Sequence, residues 1–168
     1  MPVDNCPHTF EELAQSVLPA HLKRLQAATP LLASELVGFR SASKAALARL
    51  SRPADFPGCY VFLEEGRPFY VGISRTVVKR LIQHLNFESH FTASLVFRMA
   101  RQSVSRRMRR NEAMRDAEFL QAFRHAQGRL QKMSVQFVEI ENDLVLYMFE
   151  VFAAMKLGTD GSNSFRTH

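Results

Sequence analysis

Cysteine is scarce in this chain. Cys6 and Cys59 are the only two among 168 residues, at no spacing that zinc needs and too few for a disulfide framework. A reducing, cytoplasmic setting is therefore expected. Long apolar runs are missing too: nothing approaches the roughly 18 uninterrupted apolar residues of a membrane-spanning helix, so no membrane partner is expected. The opening MPVDNCPHTFEELAQ has neither a basic n-region nor an apolar h-region, and so does not read as a secretory signal. Internal repeats and low-complexity tracts are absent. Acidic residues are outnumbered, 16 against 22 Lys and Arg, which leaves a net charge of +6. Arginine forks match phosphate oxygens, so that excess suits a polyanionic partner; many soluble proteins are equally basic without binding nucleic acid.

What is present suffices for a globular core. Hydrophobic residues make up 46% of a chain most simply read as one domain. Residues 9–28 carry apolar positions at helical spacing, with Thr9 as N-cap, Glu12 as its capping-box partner and a break or kink expected at Pro19. Residues 31–50 read as a second helical region, closed by the prolines of RPADFPG. Residues 1–52 thus read as a helical N-terminal extension to a domain over 53–168.

CYVFLEE and RPFYVGI alternate as two strands joined by a tight turn at Glu65–Gly66–Arg67. Val61 and Leu63 share one face with Phe69, Val71 and Ile73, and Tyr60 and Tyr70 fall at the opposite parity. TVVKRLIQHLNF follows as a helix with Val77, Val78, Leu81, Ile82 and Leu85 on an apolar stripe, and Arg80 and His84 as neighbours on a different face. Residues 92–101 and 111–126 read as further helices. SVQFVEIE reads as a third strand, NDLVLYMFEVFAAMKL as a helix capped by Asn142, and GTDGSNSFRTH as a closing loop.

Glu150 lies within LVLYMFEVFAAM, with apolar residues for more than a turn on each side. A carboxylate there is costly unless paired, hydrogen-bonded or metal-bound; it could equally reach water at the helix edge. Mg²⁺ often takes only one or two carboxylates and completes its shell with water and phosphate. Arg80, His84 and the two tyrosines each have an ordinary structural explanation when taken singly.

Their joint spacing resembles the GIY-YIG nucleases. GCY at 58–60 is followed ten residues later by YVG at 70–72, and Arg80 lies ten past Tyr70 with His84 four further on. HFTASL, from His90, resembles a further histidine-containing segment of that family. Glu150 falls on the helix after the third strand, and Asn163 in SNSFRTH resembles the family's terminal asparagine. Cys59 stands where that pattern usually has isoleucine. The resemblance covers about 57–168, with an enlarged arginine-rich insertion around 98–130.

That resemblance implies an α+β fold, with a small, mostly antiparallel three-stranded β-sheet flanked by α-helices. It implies a metal-dependent endonuclease that hydrolyses phosphodiester bonds, with DNA expected ahead of RNA. Glu150 would hold one Mg²⁺ or Mn²⁺, Arg80 would brace a non-bridging phosphate oxygen, and Tyr60 would act as general base. Tyr70 would position water or phosphate, and His84 or His90 would relay the proton, with Asn163 completing the catalytic set. Gly58 and Gly72 would let backbone and phosphate approach closely.

Arg98, Arg101, Arg106, Arg107, Arg109 and Arg110 form a candidate electrostatic track for the phosphate backbone; the ordinary alternative is a solvated helix face balanced by Glu112, Asp116 and Glu118. No zinc finger or helix-turn-helix is expected after the core. Specificity would then rest on the N-terminal helices, the insertion, a homodimer or a partner protein. Two rivals stand beside the nuclease: a nucleic-acid-binding protein that keeps the fold without cutting, and an interaction protein with no nucleic acid partner.

Overall fold

The structure is a computed structural model, and it describes residues 3–86, 93–106 and 108–165. Thr9 opens the first helix as expected: its Oγ1 accepts the Glu12 N–H at 3.2 Å while the Glu12 carboxylate accepts the Thr9 N–H at 2.8 Å. Helix α1 (Phe10–Glu12) passes through a π-helical segment, Leu13–Val17, into α2 (Leu18–Ala27). Pro19 sits in the first turn of α2 and supplies no N–H to the preceding turn. The helix responds by widening to a π turn rather than by stopping.

Residues 31–50 differ from the continuous helical reading. They form a short strand β1 (Leu31–Leu32), a 3-10 turn (Ala33–Leu36) and a six-residue helix α3 (Lys44–Arg49) capped by Ser43. Gly38, at φ +94°, takes a conformation that no helix interior contains. The hairpin follows as β2 (Gly58–Glu64) and β3 (Arg67–Ser74). Glu65 and Gly66 both take positive φ, +51° and +79°, as a two-residue type I′ turn requires.

Next come α4 (Val77–Asn86) and α5 (Ser94–Ser103). Where one helix was expected over 111–126 there are two, α6 (Arg110–Ala113) and α7 (Ala117–Gln131). Asp116 separates them because its side chain accepts the Phe119 N–H at 2.9 Å and so caps α7. Strand β4 (Ser134–Glu139) and helix α8 (Asp143–Leu157) complete the order, with Asn142 capping α8 by accepting the Val145 N–H at 3.1 Å.

The chain divides into two compact units that interleave along the sequence. The first takes Met1–Leu31, Ala54–Val77 and Ser134–His168; the second takes Leu32–Pro53 and Val78–Met133. The stretch 1–52 is thereby shared between them. In the first unit Leu13, Leu18 and Leu25 are buried in the same apolar cluster as the sheet, so these helices belong to its core.

The sheet has four strands rather than three, in the order β1-β4-β2-β3, with β2 antiparallel to both neighbours. A two-residue strand such as β1 leaves no alternation to read in the sequence. Cys59, Val61, Leu63 and Val71 turn one face toward Val145, Leu146, Phe149, Ala153 and Ala154 of α8. The hairpin register shifts between Phe62, opposite Tyr70, and Leu63, opposite Pro68. Phe69 is the extra residue of this bulge, which breaks its alternation with Val71 and Ile73 and accommodates a proline that cannot donate to the ladder. Among the described residues, no helix is long and apolar enough to cross a membrane.

Candidate functional site

Within the first unit, the register sets Tyr60 opposite Gly72 and Phe62 opposite Tyr70. These side chains share the sheet face turned away from α8. Tyr60 meets Tyr70 with ring centroids 6.3 Å apart, and Phe62 edge-on at 5.9 Å. Gly72 makes this packing feasible: a methyl there would lie 2.5 Å from both Cζ and Oη of Tyr60. The phenol therefore lies across bare backbone, and its residue is only 1% exposed. Gly58 answers a different need, since a methyl there would overlap the Val138 carbonyl oxygen on β4. At both glycines the approaching group is part of the protein, the Tyr60 ring at Gly72 and the β4 backbone at Gly58.

Asn163 reaches back to the sheet. Its Oδ1 accepts the Val71 N–H at 3.0 Å and its Nδ2 donates to the Val71 carbonyl at 2.7 Å. The side-chain amide thus imitates a further strand on the outer edge of β3 and holds the residue next to Gly72. Asn163→Ala is expected to cost about 1–3 kcal/mol in urea unfolding, because both backbone groups lose their amide partner. Asn163→Asp should be no better, as a carboxylate turns its second oxygen against the Val71 carbonyl. Wild-type stability in the aspartate variant would show that the donor half of this clamp is idle.

Glu150 is half-buried on α8, whose core side lies on the Cys59 face of the sheet. Helix α8 thus packs on the face of the sheet opposite the one that carries the tyrosine rings. Burial first, and then the Glu150 charge, push the Cys59 thiol well above its ordinary range. Among the described residues, no three His, Cys, Asp or Glu side chains gather into a metal cage. A lone carboxylate such as Glu150 would suit a largely hydrated Mg²⁺ or Mn²⁺ completed by phosphate oxygens and would not suit structural zinc.

In the second unit, Arg80 is half-buried on α4 and committed to protein partners. Its Nη2 donates to Ser94 Oγ on α5 at 2.8 Å, and its Nη1 to Gln83 Oε1 at 3.4 Å. His84 is wholly buried, a correction to its placement on a face apart from the apolar stripe. Seven residues, two helical turns, separate it from buried Val77, so both lie on the same side of α4. Burial, then Arg80 and Arg98, hold its imidazole well below the usual histidine range, which keeps it neutral.

The insertion is more engaged than a bare track. Arg101 donates to the Met108 carbonyl, Arg106 approaches Asp116 at 3.7 Å, and Arg110 stacks over Phe97 at 4.7 Å from the ring centroid. The Arg109 N–H donates to Glu112 at 3.0 Å. The side chains of Arg106, Arg109 and Arg110 remain exposed. His90 and Arg107 lie outside the described residues.

The structure thus brings Tyr60 and Tyr70 together over Gly72, joins Asn163 to that strand, and sets Arg80 and His84 one turn apart on α4. Sequence reasoning missed Phe62, which walls in Tyr60, and Ser94, which holds Arg80. Ser94 lies 14 residues from its partner, beyond any local pattern. No protein family, curated protein or solved structure matches the chain.

Proposed function

We propose that this protein is a metal-dependent endonuclease of the GIY-YIG type, acting on DNA phosphodiester bonds. The observation that supports the reading is the Tyr60–Gly72 packing beside Tyr70, because the two motif triplets lie on adjacent antiparallel strands with Tyr60 directly opposite Gly72. Arg80, held by Ser94, would brace a non-bridging oxygen. Glu150 would hold a divalent ion, which supplies charge withdrawal from the scissile phosphate. Asn163 fixes the strand that carries Tyr70 and Gly72. The exposed arginines of the insertion would contact backbone phosphates and make binding salt-sensitive.

Plasmid nicking with Mg²⁺ or Mn²⁺ tests this reading. Arg80→Ala and Glu150→Ala are each expected to lower nicking by on the order of 100-fold. Equal nicking by all three proteins would sink it. The second reading, nucleic-acid binding without cleavage, is favoured by one observation: Tyr60 is 1% exposed and His84 wholly buried, so neither presents itself to water. Salt-dependent filter binding with no nicking by the parent protein would establish that alternative.

A further inference from the structure

A cavity of about 450 Å³ opens in the first unit. Three cationic or titratable bases line it: His8, which precedes α1, and His21 and Arg24 on α2. His21 is half-buried and pinned edge-on to Phe149 of α8, with ring centroids 5.8 Å apart. Arg24 Nη1 lies 3.4 Å from His21 Nδ1. A guanidinium only donates, so Nδ1 accepts, and the neutral ring keeps its hydrogen at Nε2.

Two carboxylates stand near these bases. Glu139 and Glu141 border the same space. Val138 and Ile140 belong to the apolar cluster of α2 and α8, so strand alternation turns the Glu139 side chain to the other face. Glu141 is exposed. The Asn142 side chain is occupied, its Oδ1 accepting from Val145 and its Nδ2 donating to the Asp4 carbonyl at 3.1 Å. Asp143, at the start of α8, is paired with Arg75. Burial, then Arg24 and His8, already hold the His21 imidazole below its usual range. Such a cluster repels its own second proton until an anion enters.

We propose that this cavity is a phosphate-binding site, in which Arg24, His21 and His8 together receive the oxyanion of a phosphate ester. The volume suits a mononucleotide, and the same chemistry would accept the phosphorylated end of a nucleic acid strand. A bound dianion favours the imidazolium, so affinity rises as the pH falls toward the His21 midpoint. Tyr60, Arg80 and Glu150 are not among its lining residues, and its occupancy is read without any cleavage assay.

The test is a proton NMR titration of the histidine ring signals in the whole chain. Inorganic phosphate, a nucleoside 5′-monophosphate, and oligonucleotides with 5′-phosphate or 5′-hydroxyl ends are the probes. Phosphate is expected to raise the His21 midpoint and to shift the His8 ring signals. Arg24→Gln, a change at an exposed position, should weaken binding at least about tenfold, the loss of one charge-assisted contact. A mononucleotide response identifies a small ligand; a response confined to the 5′-phosphorylated oligonucleotide identifies a strand end. Phosphate probes that leave His21 unmoved, or that act equally on Arg24→Gln and parent, would overturn the proposal.

Discussion

Gly58→Ala is expected to destabilise the first unit by about 3 kcal/mol or more, at the upper end of the cost of overpacking. Elsewhere a Gly→Ala change often stabilises, by roughly 0.4–1 kcal/mol, because the unfolded chain loses freedom. The clash decides the sign here. The added methyl would overlap the Val138 carbonyl and lie 3.2 Å from Glu139 Cα, both backbone groups of the neighbouring strand. Gly58 pairs with Glu139 on one side and Ser74 on the other, so β2 cannot yield without disturbing two ladders.

Gly72→Ala meets a side chain instead, the Tyr60 phenol at 2.5 Å, and should cost somewhat less in stability while displacing that ring. In a Tyr60→Leu background most of the Gly72→Ala cost should disappear, since the two changes share one contact. Gly128→Ala is the internal control: it lies inside α7 with nothing within 4 Å of the added methyl, so stability should rise. Urea unfolding of the set reads these outcomes. A Gly58→Ala protein as stable as the parent would mean that β2 and β4 are not paired in this register.

The same residues show what the sequence made legible. Capping and turn signals act over three or four residues, and they held at Thr9, at Glu65–Gly66 and at Asn142. Alternation gave the correct shared face for Tyr60 and Tyr70 up to the bulge, where Phe69 slips out of phase. Contacts between distant segments had no such signature. Asn163 clamps Val71 from 92 residues away, and Gln136 donates to the Gln26 and Ala28 carbonyls from 110 and 108. Leu31–Leu32 joins the sheet through two residues only, too few for a period to emerge. Arg80 and His84 were correctly neighbours, yet spacing alone could not tell which of them would face the interior.

That difference gives His84 a measurable consequence. Its folded pKa lies well below the unfolded value of 6.5, through burial and then Arg80 and Arg98. A depressed pKa means the unfolded chain binds the proton first. The stability contributed by the neutral ring is complete above pH 6.5 and is lost as the pH falls toward the folded value. One proton sets the limiting slope at about 1.4 kcal/mol per pH unit. His21 is shifted in the same direction, with burial first among the causes, and adds to the loss. Urea unfolding between neutral and mildly acidic pH should therefore show steep destabilisation, part of which vanishes in His84→Gln, whose amide does not titrate. Arg98→Gln should lessen the loss slightly by removing one of the two cations that oppose the imidazolium. If His84→Gln retains the full acid loss, the ring is not held neutral in the folded protein.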